Sequence, residues 1–202
     1  DGNNFIEELY KKGVRNFVIS KKSDKSLFHD ANFIYVDNTI KALQQIAEYH
    51  RKKFEICVLA ITGSNGKTIV KEWISQLLSN NINLIKNPKS YNSQIGVPLS
   101  VWNIEKEHQF AVFEAGISQK DEMIKLEKIL SPAIGLFTNI GDAHQENFEN
   151  IEQKIKEKLI LFNNCKTIIY CKDHFNIDSE IQKSDITKLK KIITWGFSEK
   201  SD

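Results

Sequence analysis

No two cysteines in this chain form a CxxC pair, and Cys57, Cys165 and Cys171 are an odd, widely spaced set. A paired-cysteine motif is therefore absent, and the set fits a reducing compartment. Cys57 lies in the apolar run Ile56-Cys57-Val58-Leu59-Ala60, which predicts core packing for it. Also missing is any apolar stretch of the ~18 to 20 residues that span a bilayer, and the opening Asp-Gly-Asn-Asn-Phe lacks the basic-then-apolar signal pattern. These absences predict a cytoplasmic protein without membrane insertion. Charge of one sign is lacking as well: 28 Lys+Arg against 26 Asp+Glu leave +2, so neither a nucleic-acid-binding surface nor an acidic tail is expected. No repeat or low-complexity tract stands out, and the Lys-rich stretch 183–191 reads as solvated surface. Position 1 is not Met, and the chain opens almost directly into a helical pattern, as expected of a piece of a longer protein.

What the chain does have is enough apolar material, 41% of 202 residues, to bury a core. Asn3 or Asn4 can cap a first helix, Asn16 to Ile19 reads as a strand, Phe33 to Val36 as another, and Thr39 as the cap of a helix reaching about Lys52. From Glu55 onward the pattern alternates: strand 55–61, helix 67–79, strands 82–86 and 110–113, helix 120–130, strand 133–138, helix 151–162, strands 167–171 and 191–195. Such alternation predicts an α/β fold, a mostly parallel sheet with helices on both faces. The division expected is a small α/β piece at 1–53 followed by a larger domain at 54–202. Ligands in such folds bind beyond the carboxyl ends of the strands.

The first strand of the larger part runs into Thr62-Gly63-Ser64-Asn65-Gly66-Lys67-Thr68 and then an amphipathic helix carrying Ile69, Val70, Trp73, Ile74, Leu77 and Leu78. Strand, glycine loop, Lys-Thr and helix is how a chain cradles a triphosphate. The glycines let amide N–H groups face phosphate oxygens, the helix N-terminus adds positive potential, Lys67 reaches the terminal phosphates, and the Thr68 hydroxyl can ligate Mg2+. The strict GxxxxGK[ST] pattern would place glycine at 61, where this chain has Ile61.

Further candidates follow later strands. Phe110 to Phe113 lead to Glu114, which taken alone reads equally as a metal ligand or an exposed loop residue. After the strand ending at Thr138 comes Asn139-Ile140-Gly141-Asp142-Ala143-His144; Asn139 is a candidate to face nucleotide and His144 a candidate metal ligand, although a lone histidine is more often structural. Between these strands, the Pro-, Asn- and Ser-rich run 87–99, which holds Ser90, Tyr91, Asn92 and Ser93, reads as a loop. Lys154, Lys156 and Lys158, on the helix 151–162, would ordinarily be solvent-facing.

The string Thr-Gly-Ser-Asn-Gly-Lys-Thr resembles the phosphate loop of the Mur ligases, which also lack the first glycine. Asn-x-x-Ile-Gly-Val-Pro at 92–98 resembles the segment by which the D-alanyl-D-alanine-adding branch holds its UDP-muramoyl-peptide. The fuller string Lys89 to Leu99 looks most like the ligase half of proteins fused to an alanine racemase domain. The resemblance spans about 62–158, and 1–53 looks like the end of the family's UDP-binding first domain. It implies an incomplete ATP-binding central domain, with ATP and Mg2+ as cofactors. UDP-N-acetylmuramoyl-tripeptide and D-alanyl-D-alanine are the implied substrates, joined through an acyl phosphate. It further implies Glu114 and His144 as metal ligands with Thr68, and a carbamylated lysine matched best by Lys158, with Lys156 as the alternative and Lys154 left as a surface residue. Catalysis would then fall to Lys67, Glu114, His144 and Lys158. A folylpolyglutamate synthase shares the chemistry but typically has glycine where this chain has Thr68. A P-loop kinase or GTPase usually has Asp in the place of Glu114. The non-enzyme alternative is a nucleotide-binding fragment without activity of its own.

Overall fold

The computed structural model describes residues 2–21, 27–141, 145–188 and 190–197. Two parallel sheets are formed. The smaller pairs β1 (Asn16–Ile19) with β2 (Asn32–Tyr35), and with α1 (Ile6–Lys11) it encloses a core of Ile6, Phe17, Ile19 and Phe28. The larger contains β3 (Cys57–Thr62), β4 (Leu84–Lys86), β5 (Phe110–Glu114), β6 (Ile134–Phe137), β7 (Thr167–Cys171) and β8 (Lys191–Trp195), in the order β4-β5-β3-β6-β7-β8 with every pairing parallel.

Sequence pattern explains the layering. In β3 the alternate residues Val58 and Ala60 join the main core, whereas Leu59 and Ile61 face a second cluster with Val112. Both faces are covered, which is why the strand reads as one apolar run. The second cluster is closed by Val70 and Ile74 of α3 (Lys67–Leu78). On the opposite face lie α2 (Thr39–Arg51), α4 (Gly96–Val101) and α5 (Met123–Leu130), which pack on one another. Ile61 is fully buried here. The position needs a side chain for packing and not glycine's backbone freedom, which accounts for the missing first glycine of the loop.

Because β3 is flanked by β5 on one side and β6 on the other, the chain reverses its winding at β3, and a crevice opens beyond the carboxyl end of that strand. Arg51 helps hold α2 against this sheet by donating to the carbonyls of Leu130 at 3.2 Å, Phe54 at 2.8 Å and Ile56 at 3.1 Å. Helix α2 is capped by Asn38, whose side chain accepts from Lys41 N at 2.9 Å; Thr39, the expected cap, is the first helical residue.

Other expectations are corrected. Cys57, at the head of β3, is exposed. The run 87–99 is not all loop, since α4 begins at Gly96; Pro98 fits because the first helical turn has no need of its missing N–H. Helix α7 (Phe175–Lys183), unforeseen, buries Ile177 and Ile181 one turn apart. In the Lys-rich stretch, Lys190 is no free surface charge: its ammonium donates to Asn163 O at 2.7 Å and to Phe162 O. On α3 the inward ridge holds Lys71 and Ser75, both buried, while Ile69, Trp73 and Leu77 face outward.

Helix α6 (Ile151–Leu159) continues as a 3-10 turn through Phe162, whose ring lies directly on the backbone of Gly135 in β6. A Cβ at 135 would stand 2.2 Å from Phe162 Cδ1. Gly135→Ala is therefore expected to lower stability by ~1–3 kcal/mol through overpacking. Urea unfolding measures this, and adding Phe162→Leu should restore part of the loss. An unchanged midpoint in Gly135→Ala would contradict the close contact.

Candidate functional site

The loop after β3 is shaped by backbone geometry more than by side chains. Gly63 has φ +142°, and a Cβ there would meet Thr138 Oγ1 at 2.0 Å and Asn139 O at 2.9 Å. Gly66 has φ +79° and starts α3 in a left-handed conformation. The segment following β6 braces the loop. Ser64 N donates to Asn139 O at 2.9 Å, Asn65 N to Asn139 Oδ1 at 2.9 Å, and Thr138 Oγ1 to Asn65 O at 2.6 Å. Asn139 thus acts on the loop itself. Lys67 folds back across it, donating to Gly63 O at 2.7 Å and Ser64 O at 3.1 Å. Burial pushes the Lys67 ammonium below its ordinary pKa, and the negative charge of Glu114 opposes that shift.

Glu114 ends β5 with no solvent exposure, so it is not an exposed loop residue. Its Oε2 accepts from Thr68 Oγ1 at 3.0 Å and from Asn92 Nδ2 at 3.2 Å. Its Oε1 lies 2.9 Å from the Lys71 ammonium yet receives no aligned hydrogen bond. Lys71 was not among the residues expected at the site. Its signal in the sequence is the spacing Lys67-Lys71-Ser75, one helical ridge of polar residues where an amphipathic helix would bury apolar ones.

The lysines of α6 sort by helical geometry. Residues four apart share a face, so Lys154 and Lys158 point inward and Lys156 outward. Lys154 is 1% exposed and its ammonium donates to Gly141 O, which corrects its reading as a surface residue. Lys156 is exposed and lies 3.5 Å from Glu180, away from the loop, so the structure does not bring it to the site. Lys158, 3% exposed, reaches Gly63 O at 3.3 Å. Its pKa falls from 10.5 to about 7, first through desolvation, then through the charges of Lys67 and Lys154, with Glu157 acting in the other direction.

One cavity of about 480 Å³ has Gly63, Ser64, Lys67, Asn92, Ser93 and Lys158 in its walls, while Glu114, Thr68, Lys71 and Lys154 lie behind that lining. Ser90 and Tyr91 are exposed and lie outside that lining. His144 lies outside the described residues.

Chemically, the arrangement suits a polyanion on one side and a cation beside it. Glu114 Oε2 and the Thr68 hydroxyl stand side by side at 3.0 Å, while Glu114 Oε1 is turned toward the Lys71 ammonium. Oxygen donors of this kind fit a hard divalent cation, and Mg2+ typically takes one or two protein ligands with phosphates and water for the rest. Among the described residues no three of His, Cys, Asp and Glu converge, so a closed all-protein cage is not built there. No helix among the described residues is long and apolar enough to cross a membrane.

Comparison with known proteins adds independent information. A family model described as the Mur ligase middle domain matches residues 61–202. The chain is 37% identical over 164 residues to the UDP-N-acetylmuramoyl-tripeptide--D-alanyl-D-alanine ligase of Borreliella burgdorferi, covering 78% of this chain and 35% of that protein. It is 33% identical over 205 residues to the ligase of the same name from Buchnera aphidicola subsp. Baizongia pistaciae, covering 100% of this chain and 43% of that one. Among solved structures, the MurF ligase of Thermotoga maritima in complex with ADP superposes with a TM-score of 0.83 at 27% identity, over 97% of this chain and 44% of its own. The chain thus spans less than half the length of these relatives.

The depressed pKa of Lys158 carries a stability consequence. Burial disfavours its charged form in the folded state, so the penalty is fully present below pH 7 and fades as pH rises from about 7 toward the ordinary value of 10.5. In nucleotide-free, bicarbonate-free buffer, Lys158→Met is expected to stabilise the fold by ~2–4 kcal/mol at pH 6, with the gain shrinking toward pH 10. Urea titrations across that range measure it. A gain independent of pH would contradict a buried, charge-disfavoured amine.

Proposed function

Because this chain belongs to the Mur ligase family and carries its middle domain, we propose that it is the ATP-activating part of an amide ligase joining D-alanyl-D-alanine to UDP-N-acetylmuramoyl-tripeptide in cytoplasmic peptidoglycan-precursor synthesis. The observation that supports this best is the shared cavity. The phosphate loop, Lys158 and the Asn92-Ser93 segment open into the same space, so a nucleotide and a second substrate can meet there. A kinase or GTPase reading leaves that segment without a role.

In this reading the loop amides and the start of α3 bind the phosphates of ATP, and Lys67 places its ammonium against the transferring group. Phosphoryl transfer of this kind depends mainly on positioning and charge neutralisation. Asn92 and Ser93 hold the UDP-linked substrate so that a carboxylate oxygen of its peptide attacks the γ-phosphorus. The bond to ADP breaks and an acyl phosphate results. The amine of D-alanyl-D-alanine then attacks the acyl carbon, phosphate leaves, and the amine nitrogen loses a proton. Thr68 and Glu114 would hold Mg2+, which neutralises phosphate charge when bound, and the family resemblance adds His144.

Lys158 enters as an anion. An ammonium beside a divalent cation repels it, whereas the neutral amine can add CO2, losing a proton to give a carbamate whose oxygens carry negative charge. Its pKa of about 7 makes the neutral amine available near neutral pH. Lys154 donates instead to Gly141 O in the segment after β6.

The test is ADP release that depends on both UDP-N-acetylmuramoyl-tripeptide and D-alanyl-D-alanine, in the protein that carries this chain. Lys67→Ala should reduce turnover by ~100-fold or more while leaving urea stability nearly unchanged. Lys158→Ala should lose most activity and regain part of it with a short added carboxylic acid, and Lys156→Ala should retain activity. ADP release independent of the UDP substrate would favour a kinase or GTPase, and full activity in Lys67→Ala would overturn the phosphate-loop assignment.

A further inference from the structure

Lys71 is a fully buried lysine one helical turn beyond Lys67. A buried ammonium is costly unless its donors are met. Its neighbours are Asn87 O at 2.9 Å, Lys89 O, Glu114 Oε1 at 2.9 Å and, at 3.3 Å, Glu72 Oε1. The ammonium therefore joins the turn 87–92 to the end of β5. Lys89 holds a left-handed backbone with φ +50°, strained for a residue with a side chain, and its carbonyl is one of those Lys71 grips. The turn closes on the same carboxylate from its other end. Asn87 Oδ1 accepts from Glu114 N, Asn87 Nδ2 donates to Tyr91 O at 2.7 Å, Asn92 Nδ2 donates to Glu114 Oε2, and Gly116 N donates to Asn92 O at 2.8 Å.

We propose that Lys71 is a positioning residue that couples the two halves of the cavity: by holding Glu114 and the turn 87–92 together, it makes divalent-cation-assisted nucleotide binding and binding of the UDP-linked substrate depend on one buried ammonium. The proposal rests on the reading above, in which Glu114 takes the cation and Asn92 and Ser93 face the substrate. Without the ammonium, Glu114 Oε1 loses its only counter-charge among the described residues at hydrogen-bonding distance, and the strained turn loses its anchor. Lys71 faces Glu114 Oε1 whereas the Thr68 hydroxyl donates to Oε2, so the ammonium supports the carboxylate and leaves the Oε2 side beside Thr68 to the cation. The phosphate loop itself is braced by Thr138 and Asn139 and does not pass through Lys71.

The experiment uses calorimetry on the whole protein that contains this chain, comparing Lys71→Met, Lys71→Arg and Glu114→Gln with the parent. ADP is titrated with Mg2+ and with EDTA, and UDP-N-acetylmuramoyl-tripeptide separately. Partners that orient a metal ligand typically carry ~10- to 100-fold of metal affinity. Lys71→Met should accordingly lose ~10-fold or more of the Mg2+-dependent gain in ADP affinity and weaken the UDP substrate by a similar factor, with EDTA-measured ADP affinity within ~2-fold of the parent. Lys71→Arg keeps the charge but has a planar fork unable to meet the same acceptors, so both affinities should fall by a smaller, ~3-fold step; if Lys71→Met does not fold, this variant decides. Should Glu114→Gln remove the Mg2+ dependence while both Lys71 variants keep it and the substrate affinity, the coupling is overturned and the cation reading stands. If Glu114→Gln leaves the Mg2+ dependence intact, the cation reading falls and takes the coupling with it.

Discussion

A carboxylate without solvent must find positive charge and donors, and Glu114 finds them in two separate segments. Lys71 and Thr68 come from α3, Asn92 from the turn before α4, and the backbone N–H of Glu114 itself is taken by Asn87. Removing one member of a buried pair of this sort typically costs ~3–5 kcal/mol, because the other charge is left behind without compensation. The carboxylate therefore fixes where α3 lies along β5 and how the turn 87–92 is folded. Those two placements in turn set the phosphate loop opposite Asn92 and Ser93 across one cavity.

Positive charge is concentrated on the other side of that cavity. Lys67, Lys154 and Lys158 are close enough that two of them depress the pKa of the third. Such a cluster is unfavourable in an empty pocket, and a bound anion would relieve the repulsion between Lys67 and its neighbours. The loop carbonyls of Gly63, Ser64 and Gly141 hold these ammoniums in the meantime. Sheet topology puts both charge systems at one place: β3 lies between β5, which delivers Glu114, and β6, which leads into the brace formed by Thr138 and Asn139.

The sequence was legible where one force dominates. Strands 16–19 and 167–171 are found at the expected residues because apolar burial specifies them, and the phosphate loop because its backbone demands glycine at 63 and 66; strand 191–195 also lies where expected, although none of its residues is buried. It was less legible where polar burial competes with amphipathic pattern. Trp73, Ile69 and Leu77 suggested the inward face of α3, yet the need to compensate Glu114 turns Lys71 inward and leaves Trp73 59% exposed. Lys154 was misread for a related reason: lysine on a helix is usually solvated, and the carbonyl of Gly141, in the segment after β6, helps to make its burial tolerable. The family resemblance named Glu114 and Lys158 but not the ammonium that ties Glu114 to the turn, since that contact is visible only once α3, β5 and residues 87–89 are assembled.

The most direct measurement is a crystal structure of the protein with ADP and Mn2+ in place of Mg2+, with the metal located by anomalous scattering. The account predicts a peak about 2.0–2.3 Å from Glu114 Oε2 and from Thr68 Oγ1, with Lys71 still bonded to the carbonyls of Asn87 and Lys89. A metal held by the phosphates alone, with Glu114 contacting only Lys71, Thr68 and Asn92 as it does without ligand, would contradict it.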